Sequence, residues 1–349
     1  MPLRRPRWRH PGLQPGWIDR PHQTLALGEL VLESGEAIRD FEISYVVHGT
    51  RAPADDNVIL VLTAIGSTHH RLDFLIGPGR PLDPARHFII CADAIGNGLS
   101  TSPSNSQTQP DLSFPRFSIR DMVASQYKLL DALGVGRLAS IVGASMGGMQ
   151  ALQWGVSHPD RMRSLVALVP MARTRSWSVA MNEVARRVLR ADPGFPSGPY
   201  GAGFETWAAL TRVITNREPG ALEDIAPAAI PRLVERTIEA ARSLASDPLD
   251  WIYQSWAYDA HDVGATPGFA GDTTAALRSI RAPTLLLVPD LDLYNPVEDA
   301  IEAAGFIPDA TLVRLGGNAG HAVAADGSPQ LDEIRGAIGD FLNARAGQP

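Results

Sequence analysis

At 349 residues, with 44% hydrophobic and 20% charged side chains, the chain can bury a large core and does not read as disordered or fibrous. Its formal net charge of -7 argues against a general nucleic-acid binder, which needs a basic face to replace the counterions on phosphates. Cys91 is the single cysteine, so no intrachain disulfide can form, and no run approaches the roughly 20 apolar residues of a membrane-spanning helix. A cytoplasmic protein, monomeric or a small oligomer such as a homodimer, is the expectation.

The N-terminus, MPLRRPRWRHPGLQPGW, carries Arg4-Arg5 but no apolar segment to complete a twin-arginine signal, so residues 1–20 are expected as a flexible arm. LALGELVLESGEAIRDFEISYVVHGT alternates apolar and polar residues on either side of Ser34-Gly35, which predicts an antiparallel hairpin. The pattern then changes. NVILVLTAIG (57–66), HFIICADAIG (87–96) and LASIVGAS (138–145) are short, nearly continuous apolar runs that suit strands buried on both faces of a parallel sheet. IRDMVASQYKLLDALGV, between the last two, repeats its apolar residues at three and four and ends in Gly, as a crossover helix does. After Ser145, MGGMQALQWGVSHPDRM reads as a helix and SLVALVP as another buried strand.

From Met171 to about Ile280 the strand rhythm stops and helical patterns take over. The expectation is a helical cap over Ser145, its pocket lined by Trp and Tyr, with Trp177, Trp207, Trp251 and Trp256 clustered there. The rhythm resumes with APTLLLVPD and ATLVRLGG and closes with an amphipathic helix, QLDEIRGAIGDFLN. The fold class is therefore α/β: a mostly parallel central sheet with helices on both faces, a catalytic domain over 21–170 and 281–349, and a helical insertion over 171–280.

Gly143-Ala144-Ser145-Met146-Gly147 matches G-x-S-x-G between an apolar strand and a helix, the setting in which a strained turn exposes a nucleophilic serine. Serine needs a base, and in this arrangement acid and then histidine follow it along the chain. Of the histidines after Ser145, His158 sits in a helix-end turn where a solvated role is expected, and His261 falls within the cap. His321, in GGNAGHAV after the last strand, is at the expected place. APTLLLVPDLDLYNP offers Asp290 and Asp292 in one turn; Asp292 is preferred because Asp290 would shape the turn. The oxyanion donors expected are the backbone N–H groups of Met146 and of Ile65, in the loop LTAIGSTHH. His69 and His70 have no acidic or cysteine partner at a metal-like spacing, so no metal site is expected, and substrate-wall or solvated roles suit them better. Gly96-Asn97-Gly98 lacks the third glycine of a dinucleotide loop, and Cys91, inside a buried run, reads as a small core residue.

These segments together resemble the homoserine O-acetyltransferase family of α/β-hydrolase proteins: LGELVLESGEAI its opening hairpin, IRDMVASQYKLLDALGV its crossover helix, GASMGGMQALQWGVSHPDR its nucleophile turn, and NEVARRVLRADPGF and DWIYQSWAYDAHD its cap. The resemblance implies Ser145, Asp292 and His321 as triad, the amides of Ile65 and Met146 as oxyanion hole, and Arg212 as holder of a substrate carboxylate. It departs at Ala322, where that family has Asp after the catalytic His, and after Arg212, where its His and Tyr are missing. The function expected is acyl transfer through an acyl-serine, most simply hydrolysis of a small-molecule ester or thioester without a cofactor. The alternative is an acyltransferase with acetyl-CoA as co-substrate.

Overall fold

The computed structural model describes residues 10–215, 218–244 and 246–345. Eight strands form one sheet in the order β1-β2-β4-β3-β5-β6-β7-β8. β1 (Gln23–Val31) and β2 (Ala37–His48) make the antiparallel hairpin, and β2 is also antiparallel to β4. β3 (Val58–Leu62), β4 (Phe88–Ala92), β5 (Ser140–Ala144), β6 (Leu165–Leu168), β7 (Thr284–Pro289) and β8 (Ala310–Leu315) run parallel to one another.

The continuous apolar runs of β3 to β7 are explained by burial on both faces. Val58, Leu60, Leu62, Ile90 and Ile141 point into one core, shared with α1 (Ile119–Ala132) and α2 (Met146–Ser157); Ile59, Val61, Ile89, Cys91 and Val142 point into the other. α1 begins with a capping box in which Ser118 and Asp121 satisfy each other's backbone donors, and it stops at Leu133 before Gly134, whose φ of +67° lets the chain turn.

Between β6 and β7 the chain forms α3 (Ser176–Arg190), α4 (Ala202–Ala209), a π-helical turn (Leu210–Thr215), α5 (Ile230–Ser243), α6 (Pro248–Asp259) and α7 (Thr273–Arg278). Ala185, Leu189, Phe204, Trp207, Ala241, Trp251 and Ile252 give these helices a core of their own. α6 ties them to the sheet: Gln254 accepts from the Gly66 N–H at 2.8 Å and donates to the Ile95 carbonyl at 3.0 Å, holding the loops after β3 and β4. α8 (Val297–Phe306) joins β7 to β8, and α9 (Leu331–Asn343) buries Ile334, Ile338 and Phe341 against the second core. No helix among the described residues is long and apolar enough to cross a membrane.

One expectation is overturned here. Residues 10–20, read as part of a flexible arm, are docked: the Ile18 N–H donates to Asp73 Oδ2 at 2.8 Å, and Trp17 stacks on His70 with centroids 4.2 Å apart. A stacked indole and a charge-assisted hydrogen bond hold a segment that has no periodicity of its own. Residues 1–9 of the arm lie outside the described residues.

Candidate active site

The turn from β5 into α2 is built from small residues because nothing larger fits. A Cβ on Gly143 would stand 2.1 Å from the Gly147 carbonyl oxygen, and one on Gly147 would stand 2.6 Å from the Leu62 carbonyl oxygen. Strand and helix therefore close on each other, and Ser145 takes the strain at φ 57°, ψ -123°. Its N–H donates to the Leu168 carbonyl at 2.9 Å, which locks the turn to β6.

Residues far apart in sequence meet at this turn. His321, in a 3-10 turn (Gly320–Ala324) after β8, sits with Nε2 2.8 Å from Ser145 Oγ and Nδ1 2.7 Å from Asp292 Oδ2. Asp292 accepts on its other oxygen from the N–H groups of Tyr294 at 2.7 Å and Asn295 at 2.8 Å, so its carboxylate is oriented before it meets the imidazole. Asn295 is in turn fixed through Nδ2 to the Val169 carbonyl at 2.7 Å and through Oδ1 to the Tyr258 hydroxyl. The Tyr294 ring packs edge-on against His321 at 5.1 Å. Asp290 is elsewhere: it is exposed and faces Arg314 at 3.3 Å.

Ser145 and His321 open on a cavity of about 960 Å³ whose wall includes Ile65, Gly66, Trp207, Trp251 and Ala322. The Ile65 N–H has no hydrogen-bond partner among the described residues. Met146 is the first residue of α2, so its N–H is one of the donors that a helix cannot satisfy internally. Of the four tryptophans expected around the pocket only Trp207 and Trp251 line it; Trp177 is 53% exposed, and Trp256 lies under the Arg116 guanidinium. Trp17, from the docked arm, takes a place in the wall instead.

Arg212, in the π-helical turn, lines the cavity, and so does Arg71, which the sequence did not single out. Both side chains are half-buried and line the cavity. Burial, followed by the proximity of Arg212, pushes the Arg71 pKa down to about 10, and burial lowers that of Arg212. Arg212 Nε has no hydrogen-bond partner among the described residues. Two like charges in one desolvated wall are costly unless an anion joins them.

The remaining candidates take no part in the Ser145–His321–Asp292 relay. His158, expected in solvent, is half-buried and stacks on Tyr127 at 4.4 Å. His261 is buried where the chain returns from α6 toward the sheet. His69 and His70 are both buried rather than solvated, on Asp93 at 3.1 Å and Asp73 at 2.7 Å respectively; His70 lines the cavity. Cys91 is a buried residue of β4, and Gly98 lines the cavity rather than a nucleotide loop.

A family model for the alpha/beta hydrolase fold matches residues 57–328. A homoserine O-acetyltransferase of Symbiobacterium thermophilum is 39% identical over 190 residues, 49% of each chain. That match spans about half the length of the relative, whereas one of Nostoc punctiforme, also a homoserine O-acetyltransferase, is 29% identical over 335 residues, 87% of this chain and 91% of its own. Among solved structures, an acetylester hydrolase from Corynebacterium glutamicum superposes with a TM-score of 0.84 at 26% identity, covering 93% of this chain and 96% of the other. By the fold of its sheet, the turn at Ser145 and these matches, the chain belongs to the alpha/beta hydrolase fold family, and within it is similar to the homoserine O-acetyltransferases.

Proposed function

We propose that the protein cleaves carboxylic esters bearing an anionic group, through an acyl intermediate on Ser145. The observation that carries this is the continuous relay from Ser145 Oγ through His321 to the buried Asp292, with both links under 3 Å. Ser145 Oγ attacks the ester carbonyl carbon while His321 Nε2 takes its proton, and Asp292 stabilises the imidazolium. The carbonyl oxygen becomes an oxyanion facing the N–H groups of Ile65 and Met146. Collapse breaks the bond to the alcohol, which leaves with the proton from His321. Water, deprotonated by the same imidazole, then attacks the acyl carbon and frees Ser145. No cofactor takes part. Arg71 and Arg212 would hold the substrate's anionic group, with Arg212 offering a fork suited to a carboxylate.

A fluorophosphonate should label Ser145, and Ser145→Ala or His321→Ala should lower ester turnover by on the order of 10³ or more, because the three side chains act as a unit. Near-normal turnover in Ser145→Ala would end the proposal.

Transfer of the acyl group to an amino-acid alcohol is the second reading, favoured by the similarity to homoserine O-acetyltransferases and by Asp247 and Asp250, which share the cavity with the arginines. Ala322 gives an acceptor ammonium no charged partner beside His321, a contact worth about 1.5–3 kcal/mol. Hydrolysis should therefore outrun transfer. Product analysis with acetyl-CoA and saturating homoserine decides between them: O-acetylhomoserine forming faster than free acetate would reverse the order.

A further inference from the structure

Beside the cavity, under the docked arm, four imidazoles are gathered. His10 stands edge-on to His22 with centroids 4.7 Å apart, His22 edge-on to His69 at 4.5 Å, and His10 Nε2 lies 3.1 Å from His70 Nε2. One ring nitrogen from each of His10, His22 and His69 lies within 4.8 Å of the other two.

The surroundings of His69 are those of a ligand rather than of a core side chain. Asp93, fully buried, accepts from the His69 backbone N–H at 2.9 Å, from Asn97 Nδ2 at 2.8 Å and from Ser44 Oγ at 2.9 Å, and it faces His69 Nδ1 at 3.1 Å. With its Nδ1–H committed to that carboxylate, His69 is left with Nε2 as a lone pair, which is buried and has no hydrogen-bond partner among the described residues. An imidazole whose far nitrogen is held by a carboxylate is the usual preparation of a metal-ligating histidine. Ser44 extends the same control to His22: its Oγ–H goes to Asp93, and its oxygen faces His22 Nδ1 at 3.4 Å, which leaves His22 Nε2 available. The arm is brought to this place by Trp17 on His70 and by the Ile18 N–H on Asp73.

We propose that His10, His22 and His69 form a site for a late first-row divalent cation, with Zn²⁺ as the expected occupant, which pins the N-terminal arm to the wall of the Ser145 cavity. Neutral imidazoles favour this group of metals over Mg²⁺ or Ca²⁺, which take oxygen ligands. Zinc–nitrogen bonds of about 2.0–2.1 Å place tetrahedral ligand nitrogens about 3.3 Å apart. The rings must close by up to about 1.5 Å to reach that spacing; His10 and His22 stand at the surface, while His69 is buried and held by Asp93. The fourth position falls to water or to His70. The ligands come from positions 10, 22 and 69, so no short sequence spacing announces them.

The test uses the full chain without an affinity tag, stripped with a chelator, then dialysed against Zn²⁺ and analysed for bound metal. One zinc per chain is expected, and His10→Ala, His22→Ala and His69→Ala should each lose it. Asp93→Asn should weaken binding by about 10- to 100-fold, the usual effect of removing such a carboxylate. Co²⁺ in place of zinc should give the visible absorption of a low-symmetry histidine site in the wild type alone. Should the buried variants fail to fold, the exposed His10→Ala and His22→Ala still decide the matter. Zinc retained in full by those two, or no zinc retained by the wild type, overturns the proposal.

Discussion

Asp290 and Asp292 stand two residues apart, and the fold gives them opposite fates. Asp292 is 3% exposed and accepts two backbone N–H groups besides facing His321, whereas Asp290 is open to solvent beside Arg314. In the proposed chemistry Asp292→Asn should reduce kcat by about 10³–10⁴, because the amide would favour the wrong tautomer of the imidazole. Asp290→Asn should stay within about twofold, as loss of an exposed ion pair does. Steady-state kinetics of the two variants check this, and the reverse ranking would move the acid to Asp290. The sequence narrowed the acid to this pair and preferred Asp292 on turn chemistry alone, whereas which carboxylate the turn buries is seen only in the fold. Arg71 was not legible at all. It directly follows His69-His70 in a 3-10 helix (His69–Leu75), and only the folded cavity sets it against Arg212. Replacing either arginine with Met should raise KM for an anionic ester by about ten- to a hundredfold and leave a neutral ester nearly unchanged. Equal losses on both esters would argue that the arginines serve the pocket's shape rather than an anion.

At the scale of elements, the strands were legible because burial on both faces writes continuous apolar runs, α1 because an apolar stripe and a terminal Gly frame it, and α2, buried all round, because it runs from the Ser145 turn to His158-Pro159. α8 escaped that reading. It is ten residues long, and its buried residues are Val297, Asp299, Ala300 and Ala303, which make a thin stripe. The arm escaped for another reason: residues 10–20 are held by individual side chains, Trp17 above all, and a single anchoring indole leaves no period to detect. The turn at Ser145 was the most specific signal, and its glycines make a prediction about stability. A Cβ on Gly143 meets a backbone oxygen at 2.1 Å and one on Gly147 at 2.6 Å, in both cases an atom of a packed element that cannot swing aside. Gly143→Ala and Gly147→Ala should each cost about 1–3 kcal/mol or more, the range for overpacking, with Gly143→Ala the worse. Urea denaturation measures it; wild-type midpoints in both would show that strand and helix can separate at no cost.

Across the whole molecule, the sheet and the helices between β6 and β7 are joined by the segments that cross between them, and one of these carries a buried histidine. The return from α6 is stitched to the exit of β6 by the Thr174 N–H on the His261 carbonyl at 2.9 Å and the Val263 N–H on the Ala172 carbonyl at 3.0 Å. His261, 3% exposed at this seam, has its pKa pushed down to about 3 by burial first and by the Arg120 charge second. In the unfolded chain the same imidazole takes up a proton near its ordinary pKa of 6.5. Between these values the unfolded state holds the extra proton, so stability is highest above pH 6.5 and falls as the pH drops toward 3, by about 1.4 kcal/mol per unit for one proton. His48, lowered to about 4 chiefly by burial, adds a slope of the same sign over a narrower range. Removing His261 should therefore reduce the acid sensitivity of the fold without abolishing it. Urea midpoints for the wild type and His261→Leu, taken at about pH 7.5 and again near pH 5, measure the difference, with denaturant dependence converting midpoint to free energy. The variant's loss of stability between the two conditions should be smaller by the contribution of one proton over the interval below pH 6.5. Parallel losses in the two proteins would mean that His261 is protonated in the folded state already, and that the seam between α6 and the exit of β6 tolerates a charge.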